Sequence, residues 1–356
     1  MRQIQDLILR LTTIVGLSII GVAVNSTATA QCAGDNTCYG AYALASNTTG
    51  NSNSAFGYWA LMNNTEGFSN TATGFFALFQ NTTGFANTAT GRRALGSNST
   101  GYLNTAVGLE SLAGNTTGNF NTAIGVDALT NNSSGEQNTA TGINALQANT
   151  TGGWNTANGV FALASNTTAI YNTAVGAWSL QANTTGSSNT ASGYFALNAN
   201  IGGSNNAAIG TWALQSNTTG AYNTASGSRA LQINSIGQYN TAIGAGALQA
   251  NATGNYNTAS GFQALVSNST GGQNVATGVS ALRRNTSGNY NVAYGTSALF
   301  GATTGYRNVA VGHQAGYAVT SGSDNIIIGV SFLAVKEPGI FGVMAPASAG
   351  IPVDQA

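Results

Sequence analysis

Charged residues are scarce in this chain of 356 residues. Nine are Lys or Arg and nine are Asp or Glu, so charged residues make up 5% of the sequence and the formal net charge is zero. Binding to nucleic acid or to an anionic membrane surface depends on clustered Lys and Arg, because phosphate charge must be neutralised. We therefore expect no nucleic-acid partner.

Proline and cysteine are also rare. The three prolines all follow residue 337, as expected if the preceding chain forms strands whose N–H groups are all needed for pairing. The two cysteines, Cys32 and Cys38, lie close together near the N-terminus. In an exported chain they predict either a local disulfide or a bridge between chains.

Groups that perform catalysis are nearly missing. His313 is the only histidine, and the carboxylates are scattered rather than paired at one position of the repeat described below. Nucleophilic catalysis by Ser or Thr needs a neighbouring base, and a zinc site needs more ligands than two thiols and one distant imidazole. We expect no catalytic, cofactor-binding or metal-binding residues, no cofactor, and no enzymatic activity.

Long apolar runs are absent except at the N-terminus. Residues 11–24 are mostly apolar, Arg2 and Arg10 precede them, and the small residues Ala28-Thr29-Ala30 follow. This order is typical of a signal peptide, and the run is short for a membrane-spanning helix, which needs about 20 apolar residues. Residues 1–30 are predicted to be a signal peptide, which makes the mature chain secreted or cell-surface, with no membrane span.

What the sequence has in abundance is a repeat. Asn recurs every 17 residues from Asn36 to Asn325, which gives 18 units without an insertion or deletion, and Gly follows each of these Asn residues four positions later. The consensus of positions 1 to 17 is N-T-A-x-G-x-x-A-L-x-x-N-T-T-G-x-x. A period this short is unlike that of helical repeats and suits one coil of a β-solenoid.

Each coil is predicted to contain two short strands. The first covers N-T-A-x-G, where positions 2 and 4 share one face and Ala at position 3 takes the other. Because position 2 becomes Val275, Val292, Val309 and Ile326, positions 2 and 4 are expected to face inward. The second strand is centred on Ala-Leu at positions 8 and 9.

Glycine and asparagine are assigned to structural roles. Gly at positions 5 and 15 is expected where the chain turns with positive φ or passes close to another backbone. Asn at positions 1 and 12 is expected at corners, and its side chains could form ladders from coil to coil. The fold class predicted is all-β, a parallel β-solenoid (β-roll) of 18 coils over residues 36–329, with an N-terminal cap at 31–35 and an irregular tail or cap at 330–356.

The predicted core is thin, with one Leu, one or two β-branched residues and several Ala per coil. Eighteen coils spaced by about 4.8 Å would form a rod of roughly 85 Å. Association of several chains would bury the remaining apolar faces. We therefore expect a homo-oligomer, a trimer.

Two segments resemble known proteins. Residues 121–125 (NTAIG) and 308–312 (NVAVG) resemble the S-V-A-I-G motif of trimeric autotransporter adhesin heads, the YadA-like left-handed β-roll. The full unit is similar to N-T-A-x-G-x-x-A-L-x-x-N-T-T-G arrays of bacterial exported tail-fibre-like proteins, and residues 312–329 match the segment that often closes such arrays. Over residues 36–329, the resemblance implies a trimeric, surface-exposed head or fibre segment that mediates attachment and contributes no catalytic residues.

The positions that vary between units, 6, 7, 16 and 17, are expected to face solvent. Aromatic side chains there could contact a glycan, matrix or host surface, or they could cover coil corners and fill subunit interfaces. The candidates are Tyr58, Trp59, Phe75, Phe76, Trp154, Trp178, Trp212, Tyr222, Tyr239, Tyr256 and Tyr290.

The function expected is that of a non-enzymatic adhesive or structural surface protein. An ice-binding solenoid is the alternative, because Thr is stacked at position 2 and Thr-Ala-Thr occurs at 71–73, 88–90 and 139–141. The inward orientation predicted for positions 2 and 4 argues against it.

Overall fold

The computed structural model describes residue 32, residues 34–330 and residues 341–343. The predicted signal peptide and most of the predicted tail lie outside these residues. The described part of the chain contains no helix, so it offers none that could cross a bilayer.

Each 17-residue unit contributes one three-residue strand. The strands that follow the period are β1 (Thr37–Tyr39), β2 (Ser54–Phe56), β3 (Thr71–Thr73), β4 (Thr88–Thr90), β5 (Thr105–Val107), β6 (Thr122–Ile124), β7 (Thr139–Thr141), β8 (Thr156–Asn158), β9 (Thr173–Val175), β10 (Thr190–Ser192), β11 (Ala207–Ile209), β12 (Thr224–Ser226), β13 (Thr241–Ile243), β14 (Thr258–Ser260), β15 (Val275–Thr277), β16 (Val292–Tyr294), β17 (Val309–Val311) and β18 (Ile326–Ile328). A further strand, β19 (Phe341–Val343), follows the last repeat.

The strands pair in parallel within two compact units, residues 1–138 and 139–356. In the first unit, β1 to β6 pair in chain order with each residue opposite its equivalent in the next coil, as Thr71 is opposite Thr88. In the second unit, β7 to β18 pair in the same way, and β19 pairs with β18 with Phe341 opposite Ile326. Each unit is a parallel β-solenoid, as the period predicted.

The orientation predicted for the strand side chains is wrong. Ala at position 3 points inward and is fully buried, as at Ala89 and Ala242, whereas positions 2 and 4 point outward. Every coil from Cys38 to Ala310 has a small residue at the inward position, and Ile327 occupies it where Gly316 has replaced a Leu. The β-branched residues of positions 2 and 4 are therefore a surface and not part of the core.

The second predicted strand is also absent. Positions 6 to 11 form consecutive turns, and the Leu of position 9 adopts a left-handed conformation, with φ of 50° at Leu95 and 52° at Leu248. Left-handed backbone is costly for L-residues, but here it directs a Leu that is completely buried into the centre of the coil. Burial of about one Leu side chain per coil, roughly 1.5–3 kcal/mol, offsets that cost.

The two glycines of each 17-residue repeat occur for different structural reasons. Gly91, at position 5, has φ of 135°, and a Cβ built there would lie 2.7 Å from the carbonyl carbon of Gly108 in the next coil. Gly101, at position 15, does not need positive φ, but a Cβ there would lie 2.5 Å from the carbonyl oxygen of Gly118. Close approach of successive coils therefore favours glycine at both positions, although Ala169 occupies position 15 in one coil. Positive φ favours glycine at position 5 only.

The predicted asparagine ladders are present, and they are buried. At position 1, Asn240 Nδ2 donates to Asn223 Oδ1 of the preceding coil (3.1 Å) and to the carbonyl oxygen of Gly254 in its own coil (2.8 Å). At position 12, Asn251 Nδ2 donates to Asn234 Oδ1 (2.8 Å) and to that same carbonyl (3.0 Å). The two ladders thus meet at the carbonyl of position 15, and hydrogen bonding makes burial of these amides tolerable.

The core changes composition near the end of the repeat. Position 12 becomes Ala302 and then Val319, both fully buried, and Gly316 replaces the Leu of position 9. A Cβ at Gly316 would lie 3.0 Å from Ile327 Cδ1, because Ile327 has replaced the Ala of position 3. Larger apolar groups from positions 3 and 12 therefore fill the space that Leu occupies elsewhere.

Candidate functional site

Each coil presents several sets of side chains to solvent, among them the following three. We call positions 2 and 4 the strand face, positions 6, 7, 10 and 11 the turn face, and positions 16 and 17 the corner. The aromatic candidates divide between the last two sets. Tyr58, Trp59, Phe75, Phe76, Trp178 and Trp212 lie on the turn face, and Trp154, Tyr222, Tyr239, Tyr256 and Tyr290 lie at the corner.

In the first unit, the turn face carries a continuous aromatic cluster. Trp59 meets Phe76 edge to face with centroids 4.6 Å apart, and Phe76 in turn meets Phe75 at 4.4 Å and Phe79 at 4.8 Å. Phe75 is 44% exposed. Tyr42 extends the cluster to the first coil through Tyr58 and Trp59. The structure therefore brings together four of the predicted candidates.

Two members of this cluster, Tyr42 and Phe79, were not among the candidates. Phe79 occupies position 10, outside the positions taken as variable, although that position changes from Met62 to Phe79 to Gly96 in successive coils. This variation is the signal that could have identified it.

A cleft of about 320 Å³ lies beside this cluster. Phe75, Phe76 and Phe79 form one side, and Arg92 and Arg93 of the next coil form the other. Arg93 Nη1 lies 3.3 Å from Glu110 Oε1, and both side chains are partly exposed. The guanidinium of Arg92 has no hydrogen-bond, ion-pair or ring partner among the described residues.

The turn face of the second unit also carries aromatic side chains, which contact one another from Phe161 through Tyr194 to Trp212. Trp178 stacks between Phe161 and Phe195, with centroid separations of 4.6 and 5.9 Å. Further along, the guanidinium carbon of Arg229 lies 5.0 Å from the ring centroid of Trp212. A second cleft of about 300 Å³ adjoins this pair at Gly246. Here the arginine is already engaged by an aromatic ring.

Corner aromatics form ladders in which the rings cover one another. Tyr222, Tyr239 and Tyr256 stack with centroids 4.9 Å apart at each step and interplanar angles of 1° and 2°. Parallel stacking at the coil spacing leaves the ring edges and hydroxyls exposed while the faces are covered. Tyr290 is 56% exposed and has no ring partner in the described part of the chain.

The remaining corner candidate, Trp154, stacks on Tyr171 with centroids 5.4 Å apart. A further ladder of Phe68, Phe85 and Tyr102, with steps of 4.9 and 4.8 Å, was not among the candidates. The recurrence of aromatic residues 17 positions apart is the sequence signal for it.

The strand face combines rows of hydroxyl and apolar side chains. Position 2 is Thr in most coils. Position 4 is Thr, Ser, Val or Ile in most coils and is Tyr39, Phe56, Asn158 and Tyr294 in the others. Val107 and Ile124 are exposed on the first unit, and Val175, Ile209 and Ile243 are exposed on the second. An exposed β-sheet face with regularly placed Val and Ile is a surface that a partner could cover.

Ionisable groups and cysteines form no reactive cluster in the described residues. No group of three or more His, Cys, Asp or Glu lies close enough to hold a metal ion there, and His313 is exposed. The hydrogen bond from Arg307 to Asp324, with Nε to Oδ1 at 2.7 Å, raises the pKa of the guanidinium above its ordinary value. Cys32 and Cys38 are paired, with Cα atoms 6.0 Å apart, and Cys38 replaces the inward Ala of position 3 in the first coil.

Comparison with known proteins adds no further support to the resemblance to adhesin heads. No protein-family model matches the chain, and no curated protein shows significant similarity to it. What sequence and structure establish together is an architecture: the chain is a parallel β-solenoid repeat protein with a 17-residue period.

Proposed function

We propose that the chain is a non-enzymatic, exported structural protein that mediates attachment to a surface. One observation supports this most directly: the side chains that vary from coil to coil lie on an unvarying scaffold whose buried positions are nearly invariant. Ala, Leu, Gly and Asn of the repeat are all used in packing or in hydrogen bonds between coils. The turn face and the corner carry large side chains in combinations that change from coil to coil.

Rigidity of the scaffold supports a binding role for that face. Backbone hydrogen bonds join successive coils at the strand and again in the turns, as from Leu95 N to Ser111 O (3.0 Å) and from Arg93 N to Phe75 O (2.9 Å). Aromatic side chains held on such a backbone lose little conformational entropy on contact. They would therefore provide contact area at a small entropic cost.

Trimer formation through the strand face is part of this proposal. The outward Val and Ile of position 4 form exposed apolar rows, and the small core provides each chain with little burial of its own. Covering that face with other copies of the chain would bury both the Thr methyl groups and the Val and Ile side chains. Export directed by the signal peptide predicted at residues 1–30 would make the assembly secreted or cell-surface.

The test is an adhesion measurement on the mature chain starting at Gln31. Purified protein would be passed over surfaces coated with matrix proteins, with glycans and with inert polymer, and retention would be measured by surface plasmon resonance. We expect retention on at least one biological coating, and we expect that retention to be lost when Trp59 and Phe75 are both replaced by Ser. Equal retention on every coating, including inert polymer, would contradict the proposal.

Ice binding is the second candidate, and the outward orientation of the strand face now favours it. Thr71, Thr73, Thr88 and Thr90 all point to solvent from adjacent strands. Their spacing would be about 6.6 Å along a strand and about 4.8 Å between strands, which gives a flat, regular array of hydroxyl and methyl groups. Thermal hysteresis that disappears when Thr88 is replaced by Lys would establish this function, and absence of hysteresis would remove it.

A further inference from the structure

We propose that the cleft beside the aromatic cluster of the first unit binds an acidic sugar ring, with the aromatic side chains on the ring and Arg92 on its acidic group. This inference rests on the proposed attachment function and names the class of ligand that one site would recognise. The site consists of Phe75, Phe76, Phe79, Arg92 and Gly96.

The cleft exists because one side chain is missing from the turn face. Position 10 carries Phe79 in one coil and Gly96 in the next. The three atoms nearest to a Cβ built at Gly96 all belong to Arg93, the closest being its carbonyl oxygen at 3.1 Å, and Gly96 lines the cleft. The volume of about 320 Å³ lies at the lower end of the range for small-molecule sites, about 300–1,000 Å³.

The aromatic wall favours a ligand with weakly polar C–H groups. Phe76 meets Phe75 at an interplanar angle of 80° and Phe79 at 67°, so Phe76 contacts both of these rings edge to face. Phe75 stacks on Tyr58 with centroids 5.7 Å apart and remains 44% exposed. The π-electron face of such a ring attracts groups with partial positive charge. The C–H face of a pyranose is such a group, and Gln80 and Ser97 at the rim offer hydrogen bonds for its hydroxyls.

The charge of the cleft favours an anionic ligand. Glu110 neutralises Arg93, whereas Arg92 is exposed and has no side-chain partner in the described part of the chain. A guanidinium forms paired, charge-assisted hydrogen bonds with carboxylate or sulfate oxygens. A wholly apolar partner would desolvate Arg92 without compensation, and a nucleic acid would need more cations than this face contains.

The cleft of the second unit provides an internal contrast. Arg229 lies over Trp212 there, so both its guanidinium and the ring face are already used. Arg92 makes no such contact among the described residues. An unengaged cation beside the aromatic wall therefore distinguishes the cleft of the first unit.

Calorimetric titration of the mature chain with trigalacturonic acid tests the proposal. Neutral galactotriose and sulfated galactotriose are the comparison probes. We expect the acid to bind and neutral galactotriose to bind about tenfold more weakly or not at all, because the charge-assisted bonds are lost. Preference for the sulfated probe would still support an acidic sugar and would identify sulfate as its acidic group. Absence of binding by both acidic probes, or equal binding of acidic and neutral probes, would overturn the proposal.

Three variants locate the site. Arg92→Gln removes the cation, and Gly96→Gln fills the cleft with a residue that many other coils carry at position 10, so both variants should fold. Each is expected to weaken binding of the acidic probe about tenfold or more. Arg284→Gln removes an exposed arginine that lies over Phe300 in the second unit and should leave binding unchanged. Equal binding by Arg92→Gln and the wild type would overturn the assignment.

The same measurements separate this inference from the proposed function. If the wild-type chain adheres to a coated surface but binds neither acidic probe, the ligand assignment is overturned and the proposed attachment function is not. Chain that binds the acidic probes but adheres to no surface supports the assignment and contradicts the attachment function.

Discussion

Asn285 and Ala302 occupy position 12 in successive coils, and their juxtaposition ends one of the two buried amide ladders. Asn285 Nδ2 donates to Asn268 Oδ1 at 2.7 Å, but its own Oδ1 is buried without a partner, because the next residue of the row is an alanine. Every ladder needs such an end. This one lies where the core changes from amide rows to larger apolar residues.

Truncating the ladder in the middle should therefore cost more than truncating it at its end. Asn217→Ala leaves Asn200 Oδ1 unpaired and removes the acceptor of Asn234 Nδ2. Asn285→Ala also leaves Asn268 Oδ1 unpaired, but it removes Asn285 Oδ1, which has no hydrogen-bond partner in the wild type. We expect Asn217→Ala to lower the free energy of unfolding by about 1–3 kcal/mol more than Asn285→Ala, measured by denaturant titration. Equal losses would mean that the ladder bonds add no net stability.

Addition of one methyl group at position 5 should be severely destabilising. In Gly91→Ala, the new Cβ would lie 2.7 Å from a backbone carbon of the next coil and the residue would retain φ of 135°. We expect the free energy of unfolding to fall by more than about 3 kcal/mol, since both strain and overpacking contribute. Gly96→Ala, on the exposed turn face, is the matched control and should change stability by less than about 1 kcal/mol. Thermal melts of the two variants would reveal the difference.

The tyrosine ladder should stabilise the second unit. Tyr239→Ala removes two stacked contacts at once, those with Tyr222 and Tyr256, and should cost roughly 1–3 kcal/mol, given about 0.5–1.5 kcal/mol per aromatic pair. Tyr290→Ala removes an exposed ring with no stacked neighbour in the described residues and should be nearly neutral. Chemical denaturation of both variants is the measurement. A Tyr239→Ala chain as stable as Tyr290→Ala would show that the stack forms without stabilising the fold.

Charge on the strand face should disrupt the proposed trimer. The double variant with Ile209→Lys and Ile243→Lys places two ammonium groups at exposed apolar positions of the strand face. Burying each unpaired charge in the trimer interface would cost roughly several kcal/mol. We expect light scattering to give a mass near three chains for the wild type and one chain for this variant, with unchanged circular dichroism. Thr185→Lys with Thr219→Lys, on another face, should remain trimeric. A wild type that is already monomeric would overturn the trimer proposal.

The candidate aromatic surface could be anticipated from sequence only in part. Variation at positions 6 and 7 identified Trp59 and Phe76, because a strict repeat makes every departure visible. Phe79 was not anticipated, since position 10 was not recognised as exposed. The contrast between the parallel stacking of corner rings such as Tyr239 and the edge-to-face contacts of turn-face rings such as Phe76 depends on inter-ring angles, which no sequence pattern encodes.

The sequence by itself determined the period, the parallel register, the coil count, and the structural roles of Gly and Asn, because a unit that repeats without insertion can stack only on its equivalent. Only the tertiary structure decided which way each side chain points. Alternation along a three-residue strand is symmetric, so Thr-Ala-Val fits equally well with either face inward. The direction depends on Leu95 and its equivalents, whose left-handed backbone directs their side chains into the centre of the coil, beside the small residues of position 3. The β-branched residues are consequently on the outside, where they form the surface through which the chain is proposed to associate.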